Sequence, residues 1–240
     1  MKSTLLVALA ASAMAVQAAP FFYTFYDPYG GPNPGAAGNN GDVIGALRRF
    51  DIEKVAITGD GGQVHIAVFM NYGQEGGDTS LGGINVGYGF PVLHPGDLMF
   101  TSGASHWAIS LIDHGGLTAG NLFEVTGFLK AYEVLGNPPG NFRPNADVWG
   151  DGNGANKTGD GALTTAATTG SQIRVDVELT TSNAAFLHAL STGDFELMFA
   201  AATCGNDIVT GEGGSEVPEP MTSLLIGAGL AGLGLLRRRT

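Results

Sequence analysis

Hydrophobic and polar residues alternate most cleanly over residues 173–179, where Ile173, Val175, Val177 and Leu179 are interleaved with Arg174, Asp176 and Glu178. A period of two sends these sets to opposite faces, which predicts a strand with one buried and one wet side. The pattern returns where Phe195, Leu197 and Phe199 are separated by Glu196 and Met198, in a strand leading to Cys204. Residues 52–58 and 64–72 are rich in strand-forming residues and are joined by Gly59-Asp60-Gly61-Gly62, a hairpin signal. In the second arm Val64, Ile66, Val68 and Met70 share one face, with His65, Ala67, Phe69 and Asn71 on the other. Both faces are partly apolar, so this arm belongs near the centre of a sheet, and His65 reads as a packed histidine rather than a ligand.

The remaining segments are read by their punctuation. Phe21-Phe22-Tyr23-Thr24-Phe25-Tyr26 favours a strand, and Asp27-Pro28-Tyr29-Gly30-Gly31-Pro32 stops it with turn residues. Residues 97–101 and 107–112 form a second hairpin, 121–127 a further short strand, and 131–135 another before Asn137-Pro138-Pro139-Gly140. Residues 32–40, 73–89 and 141–162 read as loops, dense in Gly, Pro, Asn and Asp. Ser182 is placed to cap a helix of about two turns over 183–190, with Phe186, Leu187 and Leu190 on its apolar side. Short strands, glycine turns and a lack of crossover helices predict an all-β body: an antiparallel β-sandwich, jelly-roll or Ig-like, with one short helix. It spans residues 20–210, followed by a linker over 211–216. Glycine, 39 of 240 residues, accords with frequent turns.

The two ends follow other rules. Residues 1–19 carry a basic start at Lys2, an apolar stretch from Leu5 to Val16 and small residues Ala18 and Ala19, the layout of a signal peptide. Residues 217–240 read Val217-Pro218-Glu219-Pro220, then an uncharged run from Met221 to Leu236, then Arg237, Arg238, Arg239 and Thr240. As a helix the 16-residue run would reach roughly 24 Å, short of the roughly 30 Å hydrocarbon core but apolar throughout. The arginines resist translocation and keep the C-terminus cytoplasmic, with the body outside.

This tail resembles the PEP-CTERM sorting signal of Gram-negative bacteria, in which a Pro-Glu-Pro motif precedes a short membrane span and a basic cluster. The resemblance implies cleavage at Pro218-Glu219-Pro220 by the membrane protease exosortase, after signal peptidase has removed the N-terminus. It also implies a transmembrane sorting helix that anchors the protein in the inner membrane only until that cut. The body is similar, more loosely, to a β-sandwich of exosortase-dependent surface proteins. The similarity rests on Asp97-Leu98, the run from Leu117 to Leu122, Arg143-Pro144-Asn145 with Val148-Trp149, and Cys204-Gly205-Asn206-Asp207.

Charge sharpens the picture once the ends are set aside. Without Lys2 and the three terminal arginines, 7 of the 11 basic residues face 22 acidic ones, a net charge of about −15. No cluster of lysines and arginines remains to neutralise phosphates, which argues against nucleic acid as a partner. Cys204 is the sole cysteine, so no internal disulfide staples the exported body.

The search for chemistry returns little. Gly103-Ala104-Ser105-His106-Trp107 has Trp where a nucleophile elbow needs Gly, and adjacent Ser105 and His106 point apart on a strand. His94, His106, His114 and His188 lack the spacing of a metalloprotease helix. Gly227-Ala228-Gly229-Leu230-Ala231-Gly232 matches a dinucleotide fingerprint in letters, but it lies inside the expected membrane span rather than in a βαβ unit. Asn156-Lys157-Thr158 fits a glycosylation acceptor that has little meaning in a bacterium. No cofactor is expected. Calcium is the one candidate, through Asp151, Asn153 and Asp160 with Asp147 and Asn156 nearby, although Ala155 breaks the EF-hand pattern and no glutamate closes the loop.

The expected function is that of an exported, non-enzymatic surface or matrix protein associated with exopolysaccharide or biofilm, sorted by exosortase. The rival is a carbohydrate-binding module, with or without calcium, in which the aromatic residues of 21–26 stack on sugars. A polysaccharide-active enzyme ranks third.

Overall fold

The computed structural model describes residues 20–27, 39–40, 43–44, 50–71, 81–83, 91–136, 142–168, 172–203, 205 and 207–214. The expected signal peptide, Cys204, the expected sorting motif Val217, Pro218, Glu219 and Pro220, the apolar run, and Arg237, Arg238 and Arg239 lie outside these residues. Among the described residues no helix is long and apolar enough to cross a membrane.

The elements in chain order begin with β1 (Phe21–Tyr26), the two short strands β2 (Asn39–Asn40) and β3 (Val43–Ile44), and then β4 (Ile52–Asp60) and β5 (Gln63–Met70). Next come β6 (Leu98–Ser102), β7 (Ser105–Ile109), β8 (Leu122–Val125), β9 (Phe128–Lys130) and α1 (Ala131–Leu135). The chain continues through β10 (Asp147–Gly150), β11 (Asn156–Ala167), β12 (Ile173–Thr181), α2 (Ala184–Thr192), β13 (Glu196–Ala200) and β14 (Ile208–Glu212). The mostly antiparallel β reading is correct. Where two stacked sheets were expected, ten strands join in one sheet in the order β1-β4-β5-β12-β11-β8-β7-β6-β13-β14.

That sheet curls into a nearly closed barrel whose edge strands, β1 and β14, approach each other. The ring of Phe25 fills the space a side chain at Gly211 would need. On β1 the inward residues Phe21, Tyr23 and Phe25 stack at ring-centroid spacings of 6.2 Å, and Phe195 meets Tyr23 edge-on at 5.0 Å and Phe25 at 6.1 Å. Aromatic contact thus seals the seam between the two edge strands.

The inward positions are those the alternation assigned. Val64, Ile66, Val68 and Met70 of β5 are buried, as are Ile173, Val175, Val177 and Leu179 of β12 and Leu197 and Phe199 of β13. Helix α2 packs into this interior: Phe186 is fully buried, with its ring edge-on to Phe100 at 5.3 Å and Trp107 at 5.4 Å. Its cap is Asn183 rather than Ser182: the Asn183 Oδ1 accepts a 3.0 Å bond from the Phe186 N–H. Gly193 ends it in the left-handed conformation, φ 74°.

Two segments depart from the sequence expectation. Residues 131–135, read as a strand, form the single-turn helix α1: Glu133 reaches back to accept the Lys130 N–H at 2.7 Å, and helical spacing brings Val134 beside the buried Ala131 in one small apolar cluster. Among the described residues, α1 and α2 are accordingly two helices where one was expected. Residues 141–162, read as a loop, contain β10 and the first half of β11. Here pairing on both sides outweighs a weak local pattern: β11 is bonded to β12 and β8. Gly161 permits this, because a Cβ there would overlap the carbonyl of Gly120.

Strands β9 and β10 with α1 form a flap on the outside of the barrel. Val148 and Ala131 pack on Ala200 of β13, while Phe128 lies over the cluster of Ala108, Leu117, Phe123 and Val125.

Candidate functional site

Three of the runs that carry the loose family likeness meet in space where this flap joins the barrel. Asp97, wholly buried at the start of β6, accepts the Gly150 N–H on Oδ2 at 2.8 Å and faces His114 Nε2 with both oxygens at 3.0 Å. The His114 ring is stacked on Trp149, centroids 4.0 Å apart and planes 13° from parallel. The indole N–H of Trp149 in turn donates to the Pro95 carbonyl at 3.1 Å. Nearby, Arg143 donates to the Gly205 carbonyl at 2.9 Å. Burial, and after it the proximity of His114, holds the His94 imidazole below its usual pKa. The Asp97 carboxylate and the Pro95 carbonyl thus hold β10 of the flap against the start of β6, and the cluster acts as a fastener.

A surface open to a ligand lies on the outer face of β1, β4, β5 and β12. Register puts Tyr26, Lys54, Phe69 and Arg174 in one cross-strand row. A second row comprises Phe22, Thr58, His65 and Glu178. Between them run Thr24, Ala56, Ala67 and Asp176, whose first three side chains are small. Two tall rows flanking a low one make a trough of about 350 Å³ laid across the strands. Phe22 and Tyr26 are 60% and 64% exposed, although large apolar rings normally seek cover. The Lys54 ammonium sits 4.6 Å above the Phe69 ring and 5.8 Å from that of Tyr26, and the Arg174 guanidinium 5.5 Å from Phe69. At the far end Asp176 accepts from Arg174 at 2.6 Å and lies 2.8 Å from His65 Nε2, which fixes both side chains.

At one end of the trough, the carboxylates of Asp51 and Glu53 stand on the same segment. Burial first, then the charges of Asp27 and Glu53, raise the Asp51 pKa above the ordinary carboxylate value. Glu53 is lowered, chiefly by a hydrogen bond from Gln172 and then by Lys54.

The residues singled out from sequence are distributed as follows. Asp151 accepts the N–H of Asn153 at 2.9 Å in the turn after β10, whereas Asp160 lies on β11 with its carboxylate 2.5 Å from the Lys157 ammonium. Asp147 faces Lys130 at 3.4 Å, and Asn156 begins β11. Among the described residues no group of three or more His, Cys, Asp or Glu is arranged to hold a metal. Ser105 sits at the β6–β7 turn, and His106 lies 3.3 Å from Thr101 Oγ1. His188 is on the exposed side of α2. His65, expected at the edge of the core, is partly buried and lines the trough. The β1 aromatics were visible as candidate sugar-stacking residues, while Lys54, Phe69 and Arg174 carried no local signal, because only strand register brings them together.

No protein-family model, curated protein or solved structure matches this chain.

Proposed function

We propose that this protein is an exported, non-enzymatic component of the extracellular polysaccharide layer that holds glycan chains along the trough of β1, β4, β5 and β12. The observation that carries this reading is the pair of exposed rings, Phe22 and Tyr26, flanking a low path of Thr24, Ala56 and Ala67. A pyranose presents a flat face of C–H bonds that stacks on such rings, and its hydroxyls find Lys54, His65 and Arg174 alongside. An extended trough suits a polymer better than a small substrate. Delivery follows from the ends of the chain: export by the signal peptide, cleavage by exosortase at Pro218-Glu219-Pro220, and release of the transient anchor that Arg237, Arg238 and Arg239 orient.

The test uses mature protein purified from its native culture. Intact mass should correspond to loss of both ends, and the protein should be retarded in gels containing the host's own polysaccharide. Phe22→Ala with Tyr26→Ala should abolish the retardation, with or without a calcium chelator. Undiminished retardation in that variant would refute the trough, and an uncut C-terminus in cells with active exosortase would refute the sorting route.

A further inference from the structure

The flap leaves a second concavity that the trough reading does not use, a half-open groove of about 460 Å³ between β9–β10 and the outer face of β6, β7, β13 and β14. Its volume lies within the range of small-molecule sites, roughly 300–1,000 Å³. Register again builds the floor: His106, Thr101, Glu196 and Glu212 form one cross-strand row. Beside it Met99 and Met198 are paired across β6 and β13 and supply an apolar strip. Phe128 forms the wall, its ring edge-on to His106 at 5.3 Å, and Asp147 stands on the same flap. Glu196 and Glu212 are direct partners on adjacent strands, an arrangement of like charges that is unfavourable without a cation between them. Lys130, on the flap, does not relieve it, because its ammonium is engaged by Asp147 at 3.4 Å and the Asn145 carbonyl at 3.4 Å.

We infer that this groove binds the protonated amine of an amino-sugar unit, that is, a hexosamine without its N-acetyl group. An ammonium placed over Glu196 and Glu212 relieves their repulsion through charge-assisted hydrogen bonds. The C–H face of the ring then lies on Met198 and against Phe128, a combination of charge and flat apolar body that a bare metal ion or an acidic sugar does not match. N-acetylation removes the positive charge and adds bulk, so the groove discriminates against the acetylated unit. The site is separate from the trough, and each can fail without the other.

The experiment is calorimetric titration of the mature Phe22→Ala, Tyr26→Ala variant, in which the trough has lost its stacking rings, with a glucosamine tetramer, its N-acetylated counterpart, spermidine, a lysine tetrapeptide and calcium chloride. The glucosamine tetramer should bind, and the other four should not compete at equal concentration. Glu196→Gln with Glu212→Gln, which keeps the side-chain shape, should weaken binding about tenfold or more. Thr210→Lys, which adds a cation at the groove, should do the same in that background. Equal binding of the acetylated tetramer, tighter binding of spermidine, the peptide or calcium, or unaltered binding by the groove variants would overturn the assignment. Binding of the glucosamine tetramer by the unaltered protein but not by the Phe22 and Tyr26 variant would transfer the amino sugar to the trough and overturn it equally.

Discussion

His114 Nε2 stands 3.0 Å from both carboxylate oxygens of Asp97, a side chain with no exposure at all. The same carboxylate accepts the Gly150 N–H, so one residue of β6 holds both the 113–117 turn and β10. Asp97→Ala would strand two buried donors and is expected to cost about 2–4 kcal/mol. Urea denaturation followed by tryptophan fluorescence measures the loss. Because Trp149 stacks on His114, its emission should change in the native baseline as well.

Gly161→Ala is expected to destabilise by about 1–3 kcal/mol, the cost of overpacking a close backbone approach. The obstacle is the Gly120 carbonyl, which cannot swing aside as a side-chain tip can. Ala at 162, an exposed neighbour, provides the contrast: Ala162→Ser should leave the denaturation midpoint unmoved.

Asp51 gives the stability a defined pH dependence. Its folded pKa is raised by burial, Asp27 and Glu53, so the native state holds this proton more tightly than the unfolded chain does. The associated stability is fully present below the unfolded value of about 3.8 and is lost as pH rises through the folded value. At neutral pH the ionised group is therefore a net cost. Asp51→Asn should raise the melting temperature at pH 7, with the advantage disappearing as pH falls below about 4. His94 acts in the opposite sense. Its lowered pKa means the unfolded state binds the extra proton first, so stability should decline as pH drops below about 6.5, and His94→Gln should flatten that part of the curve.

Phe22→Ala with Tyr26→Ala should alter unfolding free energy by no more than about 0.5 kcal/mol, since both rings are largely exposed and neither contributes to the core. Phe25→Ala, one position away on the inward face, removes the ring that packs on Gly211 and should cost about 2–4 kcal/mol. The contrast, read by thermal melts, separates rings held for binding from rings that close the barrel.

Much of this architecture was legible along the chain. Period-two alternation fixed which side of β5, β12 and β13 faces inward, and the glycine pair at 61 and 62, with φ of 56° and 96°, marked the β4–β5 turn. Both are local properties: a pleated strand must bury its apolar side, and a tight turn must use a left-handed conformation. What only the tertiary structure decided is everything that depends on register between distant segments. β11 exists because two neighbours pair with it, despite glycines and threonines that suggest a loop. Asp97 and His114, 17 residues apart, meet because the β6–β7 hairpin returns the 113–117 turn beside the start of β6. Tyr26, Lys54, Phe69 and Arg174 become one row, and His106, Thr101, Glu196 and Glu212 another, because long-range hydrogen-bonded ladders align them. No local pattern encodes that alignment, since each strand alone presents the same alternation whichever partner it faces.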